Sequence, residues 1–188
     1  MTPAGRWLED RHASLDIGGL YQLVSTTPSD ICEHCTTLKE LASRCETVTE
    51  FGTRYGVSTI ALLAGQPARM TSYDIERTAM VTTIENAVVH TDFKFIPANT
   101  LQNEIEQTDI LFIDTLHTYQ QLKAELDRHG SKVNLYIVLH DTTIFGTRGE
   151  MGSKGLRLAI NEFLSDNPKW SVRADFQNNN GLMVLGKC

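Results

Sequence analysis

Two carboxylates and two imidazoles are spaced along this 188-residue sequence so that one site could contain all four. Asp114 ends one apolar run and His117 follows shortly after it, while His140 and Asp141 end another apolar run. Side chains of these types either hold a divalent cation or act as general bases near neutral pH. His117 could instead be a surface residue at the start of a helix. That explanation suits His140 less well, because His140 ends an apolar strand.

A glycine-containing turn nearer the N-terminus has the form of a ligand-binding loop. An apolar run ends in Glu50, the turn carries Gly52, Thr53 and Gly56, and a helix begins at Ser58 or the next residue. Glycine lets the backbone approach a ligand closely, and the start of a helix offers unpaired N–H groups. The spacing matches neither the dinucleotide motif nor the phosphate-gripping motif, and Glu50 favours a cationic or hydroxyl-bearing ligand. A purely structural turn is the alternative.

Asp74 and Asn99 end the second and third predicted strands. Ligands of an open parallel sheet bind beyond the carboxyl ends of the strands, where an acid can accept hydrogen bonds from ribose hydroxyls. An amide such as Asn99 can pair with an adenine edge, because it both donates and accepts. Helix capping would explain one polar residue at a strand end. It poorly explains five such ends in succession, namely Glu50, Asp74, Asn99, Asp114 and His140-Asp141.

The elements that must position these residues alternate between strand and helix from residue 47 onward. Apolar runs predict strands at 48–50, 70–73, 93–96, 109–113 and 133–139, and helices are predicted at 76–90, 101–106, 118–129 and 154–164. An Asn-Gly turn between two further apolar runs predicts an antiparallel hairpin at the C-terminus. The predicted fold is therefore α/β and Rossmann-like, with a mostly parallel seven-stranded sheet that closes on an antiparallel hairpin.

Residues 1–46 are predicted to form a helical cap of the same domain, which residues 47–188 complete. Trp7 and Leu8 are expected to anchor the first part of this cap, and apolar positions at helical spacing predict a helix that ends at Ala42. Cys32 and Cys35 form a C-x-x-C pair within that helical pattern. Because no second pair exists at comparable spacing, they are expected to be ordinary thiols.

Composition excludes several classes of function. The formal net charge of −6 argues against broad binding to nucleic acid or to an anionic membrane. No apolar run approaches the roughly 18 residues of a membrane span, and a signal-peptide core is not evident at the N-terminus. We therefore expect a cytoplasmic enzyme or binding domain.

The motifs resemble class I S-adenosylmethionine-dependent methyltransferases over residues 47–187. Glu50-Phe-Gly-Thr-Arg-Tyr-Gly56 looks like the glycine-loop motif of that family, and Asp74 matches its ribose-binding acid. Residues 112–119 together with 139–142 are similar to small O-methyltransferases. That group resembles cephalosporin hydroxylase and the sugar O-methyltransferases of antibiotic pathways.

The resemblance implies S-adenosylmethionine as the cofactor and a divalent metal, Mg²⁺ or Mn²⁺, held by Asp114 and Asp141. It assigns catalytic roles to His117, Asp114 and His140. The residues implied for the cofactor are Glu50, Gly52, Thr53, Gly56, Ser58, Asp74, Asn99 and Asp114. The sugar-modifying relatives usually have two adjacent acids where this chain has His140 and Asp141.

The reaction implied is transfer of a methyl group from the sulfonium to a hydroxyl of a sugar, in a glycan or small glycoside. Arg148 and Glu150, in the loop 142–153, are expected to help cover the acceptor. Two alternatives stay open: a hydroxylase-like enzyme with a redox metal on the same scaffold, and a non-catalytic binding module. A homodimer, and excision of this chain from a longer multidomain protein, are both compatible with the sequence.

Overall fold

The computed structural model describes residues 15–188; residues 1–14, with the predicted anchors Trp7 and Leu8, lie outside the described residues. The strands are β1 (Thr47–Phe51), β2 (Arg69–Asp74), β3 (Asp92–Pro97), β4 (Thr108–Ile113), β5 (Val133–His140), β6 (Trp170–Phe176) and β7 (Leu182–Lys187). The helices are α1 (Ile17–Thr26), α2 (Cys35–Ala42), α3 (Val57–Leu63), α4 (Ala79–Ala87), α5 (Tyr119–His129) and α6 (Leu156–Asp166). None of these helices is long and apolar enough to cross a membrane.

The strands form one seven-stranded sheet in the order β3-β2-β1-β4-β5-β7-β6. Strands β1 to β5 are parallel, and β7 runs antiparallel to both of its neighbours. This arrangement confirms the predicted Rossmann-like sheet and its C-terminal hairpin. Strands β3 and β4 are consecutive in the chain but lie on opposite sides of β1. The order of the strands therefore reverses between β1 and β4, and a crevice opens at the carboxyl ends of these two strands.

Two apolar clusters cover the two faces of the sheet. Helices α1 to α4 pack on one face, with Leu38, Leu62 and Ile84 among their fully buried side chains. Helices α5 and α6 pack on the other face, where Leu126 and Ile160 are buried. The central strands are therefore buried on both faces, which accounts for their continuous apolar runs.

The helix predicted at 101–106 is wrong. The segment forms a turn and then an irregular stretch. Six residues are too few to form a helix without strong tertiary support, because helix nucleation is costly. The side chain of Asn99 accepts a hydrogen bond from the Leu101 N–H at 2.9 Å, which stabilises the turn instead. Ile105 anchors the rest of the segment, since its side chain is buried in the second core cluster.

Candidate functional site

A cavity of about 510 Å³ opens at the carboxyl ends of β1 to β4. Its volume is in the range of small-molecule sites. Four of the residues predicted for the cofactor line it, namely Gly52, Asp74, Asn99 and Asp114. The structure therefore brings together residues from four successive strand ends, as expected for an open parallel sheet.

Asp74 holds the loop between β1 and α3 in place. Its Oδ2 atom accepts hydrogen bonds from the backbone N–H groups of Thr53 and Arg54, at 2.9 and 2.8 Å. Gly52 has φ of 90°, and a Cβ atom there would lie 1.9 Å from the carbonyl oxygen of Asp114. Only glycine therefore fits where the loop passes the end of β4. Gly56 has φ of 74°, a left-handed conformation that also favours glycine.

Glu50 lies beneath this loop and does not line the cavity. Its side chain is fully buried and accepts hydrogen bonds from the hydroxyls of Ser58, Thr59 and Ser72, at 2.6, 2.7 and 2.6 Å. Burial raises the pKa of Glu50 to about 7, although the three hydroxyl groups oppose that shift. Glu50 and Ser58 are both predicted to bind the cofactor. In the structure their hydrogen bond, together with those from Thr59 and Ser72, links β1, β2 and α3 beneath the loop.

The carboxylates and imidazoles predicted to share a site do so. His117 Nε2 lies 2.7 Å from Asp141 Oδ2 and 3.2 Å from Asp114 Oδ1. Its other nitrogen, Nδ1, lies 2.5 Å from Glu150 Oε1. His140 Nδ1 lies 3.3 Å from Asp114 Oδ2. The ring of His117 also stacks on Phe145, with 4.6 Å between the centroids and 1° between the planes.

This arrangement favours a positive charge on His117. Burial opposes that charge, but Asp114 and Asp141 outweigh burial and raise the pKa of His117 to about 10. The pKa of His140 is also raised, because the same two carboxylates outweigh its burial. In return, and against the effect of burial, the hydrogen bond from His117 and the nearby charge of His140 lower the pKa of Asp114. At neutral pH these contacts favour an imidazolium on His117, held between carboxylates.

Two polar atoms of this cluster have no hydrogen-bond partner although they are buried: Asp141 Oδ1 and His140 Nδ1. His140 Nδ1 is near Asp114 but is not aligned for a hydrogen bond. Asp141 also has φ of 59°, a left-handed conformation that is uncommon outside glycine. Strained backbone and unpaired buried atoms are typical of functional sites.

Asp114, His140 and Asp141 each offer a ligand atom, and these atoms lie within 4.8 Å of one another. The donor set therefore fits a divalent cation that accepts both carboxylate oxygen and imidazole nitrogen. Mn²⁺ suits such a mixed set better than Mg²⁺, which prefers oxygen alone. His117 Nε2 contacts both carboxylates, so a bound cation would compete with His117 for them.

Sequence reasoning missed two residues on α5. Glu125 is fully buried beside the cavity, and Gln121 lines it. The available signal was the position of Glu125 on the helix face that buries Leu122, Leu126 and His129. A charged residue on a buried face calls for a specific partner. Glu150 was expected only to help cover the methyl acceptor, but it also contacts His117.

A scan of protein-family models finds no match, and a search of curated proteins finds none either. Solved structures do match. An O-methyltransferase from Bacillus cereus in complex with SAH has a TM-score of 0.62 at 16% identity, covering 100% of this chain and 98% of that chain. The N-methyltransferase NodS from Bradyrhizobium japonicum WM9, in complex with S-adenosyl-L-homocysteine, has a TM-score of 0.64 at 16% identity, covering 99% of each chain.

The SAH-bound methyltransferase PaMTH1 from Podospora anserina has a TM-score of 0.59 at 16% identity, covering 92% of this chain and 87% of that chain. This chain shares the Rossmann-like fold of these methyltransferases. Because the neighbours include both an O- and an N-methyltransferase, the acceptor atom does not follow from the fold.

Proposed function

We propose that the protein is an S-adenosylmethionine-dependent O-methyltransferase that methylates a hydroxyl of a sugar, in a glycan or small glycoside. The observation that carries this proposal is a single cavity that joins two kinds of residue. Asp74 and Asn99, suited to a nucleoside, line the same cavity as Asp114 and Glu150, which contact His117. A nucleoside-bound methyl donor and a proton acceptor would therefore lie side by side.

The chemistry of the strand ends supports an orientation for the cofactor. Asp74 accepts hydrogen bonds from ribose hydroxyls, and Asn99 meets the adenine edge. The sulfonium lies toward Asp114 and Glu150, because these acids favour a positive charge. In this orientation the methyl group points toward the imidazoles of the cluster.

The transfer is a direct displacement. The acceptor oxygen attacks the methyl carbon, the new C–O bond forms as the C–S bond breaks, and the sulfur keeps the electron pair of the broken bond. Alignment of the two reactants contributes most of the rate enhancement, since the sulfonium is already an activated donor. The protein must also remove the proton of the hydroxyl as the bond forms.

His117 takes that proton after the acceptor has displaced the imidazole from its carboxylates and the Nε2 proton of His117 has passed to solvent. An acceptor hydroxyl that donates to Asp114 or Asp141 competes with His117 for the groups that raise its pKa. This competition lowers the pKa of His117 toward the range of a general base. Glu150 keeps its contact with Nδ1, so the ring holds its orientation while Nε2 accepts the proton.

Asp114, His140 and Asp141 would hold a divalent cation. Such an ion would lower the pKa of a bound hydroxyl and orient it. Acceptor binding also involves the described part of the predicted N-terminal cap. Asp30 reaches the cluster from that segment, since its carbonyl oxygen lies 3.1 Å from His140 Nε2.

Calorimetric titration with S-adenosylmethionine and S-adenosylhomocysteine tests the proposal first. Absence of binding at hundreds of micromolar would overturn it. Purified protein is then incubated with methyl-labelled cofactor and a panel of sugars, glycosides and amines, with and without Mn²⁺. Label in the sugars supports the proposal, and label in amines alone contradicts O-methylation. Chelator-sensitive oxidation of a substrate without methyl transfer would favour the hydroxylase-like alternative.

A further inference from the structure

The turn formed by residues 141–145, directly after β5, contacts His117 on two sides. Asp141, its first residue, has a carboxylate oxygen 2.7 Å from His117 Nε2. Phe145, its last residue, stacks on the same imidazole with 4.6 Å between the ring centroids. The Phe145 N–H donates to the Asp141 carbonyl oxygen at 3.0 Å and so closes the turn. The conformation of this turn therefore decides where the imidazole meets its carboxylate and its aromatic neighbour.

Asp141 needs support from other residues to keep this position. Its φ of 59° lies in the left-handed region, which few residues other than glycine occupy. Asp141 is also buried, and its Oδ1 atom has no hydrogen-bond partner among the described residues. A strained residue of this kind persists only where the surrounding structure holds it.

Two neighbouring elements hold the turn from outside. On one side lies the turn between β6 and β7, where the carbonyl oxygen of Asn180 accepts the N–H groups of Thr143 and Ile144 at 2.9 and 3.1 Å. On the other side lies α6, where Arg157 Nε donates to the carbonyl oxygen of Thr142 at 3.0 Å. Because Thr142 is fully buried, loss of Arg157 would leave this oxygen without a donor.

Arg157 is itself held in place by β6. Its Nη1 and Nη2 atoms donate to the two carboxylate oxygens of Asp175, at 2.9 and 3.0 Å. Pairing through two parallel bonds fixes the plane of the guanidinium, which directs Nε at the turn. Neither Arg157 nor Asp175 lines the cavity. Any effect of Arg157 on the reaction must therefore pass through the turn.

We propose that Arg157 is a positioning residue for the methyl transfer, because its bond to Thr142 keeps Asp141 in the conformation that meets His117. This proposal rests on the proposed function, in which an acceptor hydroxyl replaces His117 on the carboxylates. Without Arg157 the turn relaxes, and the Asp141 carboxylate moves away from the place where the acceptor hydroxyl is bound. Displacements of this kind slow the chemical step, even where the altered residue is far from the reacting atoms.

Two substitutions of Arg157 isolate its bond to Thr142. The amide nitrogen of glutamine lies at the same position along the side chain as Nε of arginine, so Arg157→Gln keeps a donor for that bond. Arg157→Met has the same length but no donor. Both variants lose the ion pair with Asp175, so they differ only in the bond on which the proposal depends. Asp175→Asn is the control for the ion pair, because it leaves Arg157 intact.

Crystal structures of the Arg157 variants test the proposal without an acceptor. In Arg157→Met we expect Asp141 to leave the left-handed region and its carboxylate to separate from His117 Nε2. In Arg157→Gln both should stay as in the wild-type protein. An unchanged Asp141 in Arg157→Met overturns the proposal.

Gly146→Ala provides the same test where Arg157→Met does not fold. A Cβ atom at position 146 would lie 2.3 Å from the carbonyl oxygen of Thr142, so it pushes that oxygen away from its donor. We expect the same movement of Asp141 in its crystal structure. Circular dichroism of each variant checks folding.

Initial rates with methyl-labelled S-adenosylmethionine and a sugar that the wild-type protein methylates provide the second test. Arg157→Met should lower kcat by roughly ten- to a hundredfold, and the KM for the cofactor should change little. Arg157→Gln should restore most of kcat, and Asp175→Asn should leave kcat unchanged. Equal kcat values for the methionine and glutamine variants overturn the proposal, since the bond to Thr142 would then make no difference.

The failure of this proposal can be told apart from failure of the proposed function. If the wild-type protein methylates sugars and Arg157→Met keeps the wild-type kcat, the proposed function stands and the role of Arg157 is overturned. If the wild-type protein methylates none of the sugars, the proposed function is overturned, and the role of Arg157 in methyl transfer with it.

Discussion

Glu50 shows that a residue can match a ligand-binding motif while the fold uses it for support. Its carboxyl group is fully buried and contacts three hydroxyl groups instead of the cavity. A buried carboxyl with hydroxyl partners but no cation favours the neutral form, and the pKa is accordingly raised from 4.5 to about 7. This shift links the stability of the protein to pH.

The sign of that link follows from proton binding. Between pH 4.5 and about 7 the folded state holds a proton on Glu50 that the unfolded state releases. The contribution of Glu50 to stability is therefore full below pH 4.5 and is lost as pH rises through about 7. Glu50→Gln lacks this titration. Relative to wild type, its free energy of unfolding should rise by on the order of 3 kcal/mol between acidic and mildly alkaline pH.

Urea unfolding of both proteins at a series of pH values measures this difference. Glu46→Gln is the control, because Glu46 lies just before the same strand and is exposed. The difference in free energy of unfolding between Glu46→Gln and wild type should not change with pH. If the corresponding difference for Glu50→Gln does not change with pH either, Glu50 is charged in the folded protein.

His117 is the residue on which the proposed chemistry depends most. His117→Ala should lower kcat by roughly 10²- to 10⁴-fold, which is the usual contribution of general-base catalysis. The affinity for S-adenosylhomocysteine should change little, because His117 is not among the residues that line the cavity. Initial rates with an identified acceptor and calorimetry with S-adenosylhomocysteine measure the two effects. His90→Ala, at an exposed position, is the control, and an unchanged kcat in His117→Ala would place the base elsewhere.

At the scale of elements, the end of β2 organises the loop between β1 and α3. Asp74 accepts two backbone N–H groups of that loop and also lines the cavity. Asp74→Asn keeps the shape of the side chain but weakens these charge-assisted bonds. We expect the affinity for S-adenosylhomocysteine to fall at least roughly tenfold and the free energy of unfolding to fall by about 1–3 kcal/mol.

Calorimetry and urea unfolding of the variant measure these two quantities. Asp92→Asn serves as the control because Asp92 is an exposed acid at the start of the neighbouring strand β3. Loss of stability without loss of affinity in Asp74→Asn would make Asp74 a loop anchor only, and the ribose contact would have to come from another residue.

The strands and their polar ends could be predicted from the sequence because each depends on local pattern. Asp74, Asn99, Asp114 and Asp141 follow apolar runs, and parallel strands bring such ends to one edge. The partners of these residues could not be predicted in the same way. His140 contacts the backbone of Asp30, which is 110 positions away in the sequence.

Elements without a strong local pattern were also beyond sequence reasoning. The segment 101–106 has helix-forming residues, but Asn99 and the buried Ile105 fix it in an irregular conformation. The carboxylate of Glu125 accepts hydrogen bonds from Thr100 and Thr115, which come from the ends of two other strands. Contacts of this kind follow from tertiary packing, which no local pattern encodes.

At the scale of the whole molecule, cofactor binding should raise the stability of the entire domain. A ligand that binds only the folded state stabilises it by about 2.7 kcal/mol at 100 times its Kd. For a domain of this size that corresponds to a rise in Tm of roughly 5–10 °C. The rise should grow with the logarithm of ligand concentration, because the linkage is logarithmic.

Differential scanning calorimetry with S-adenosylhomocysteine measures this shift, with NAD as the control ligand because the chain lacks the dinucleotide motif. Adenosine alone should give a smaller shift, since it cannot reach the acidic end of the cavity near Asp114 and Glu150. Equal shifts with adenosine and S-adenosylhomocysteine would mean that only the nucleoside end of the cavity binds. The His117 cluster would then lie too far from the sulfur to take part in methyl transfer.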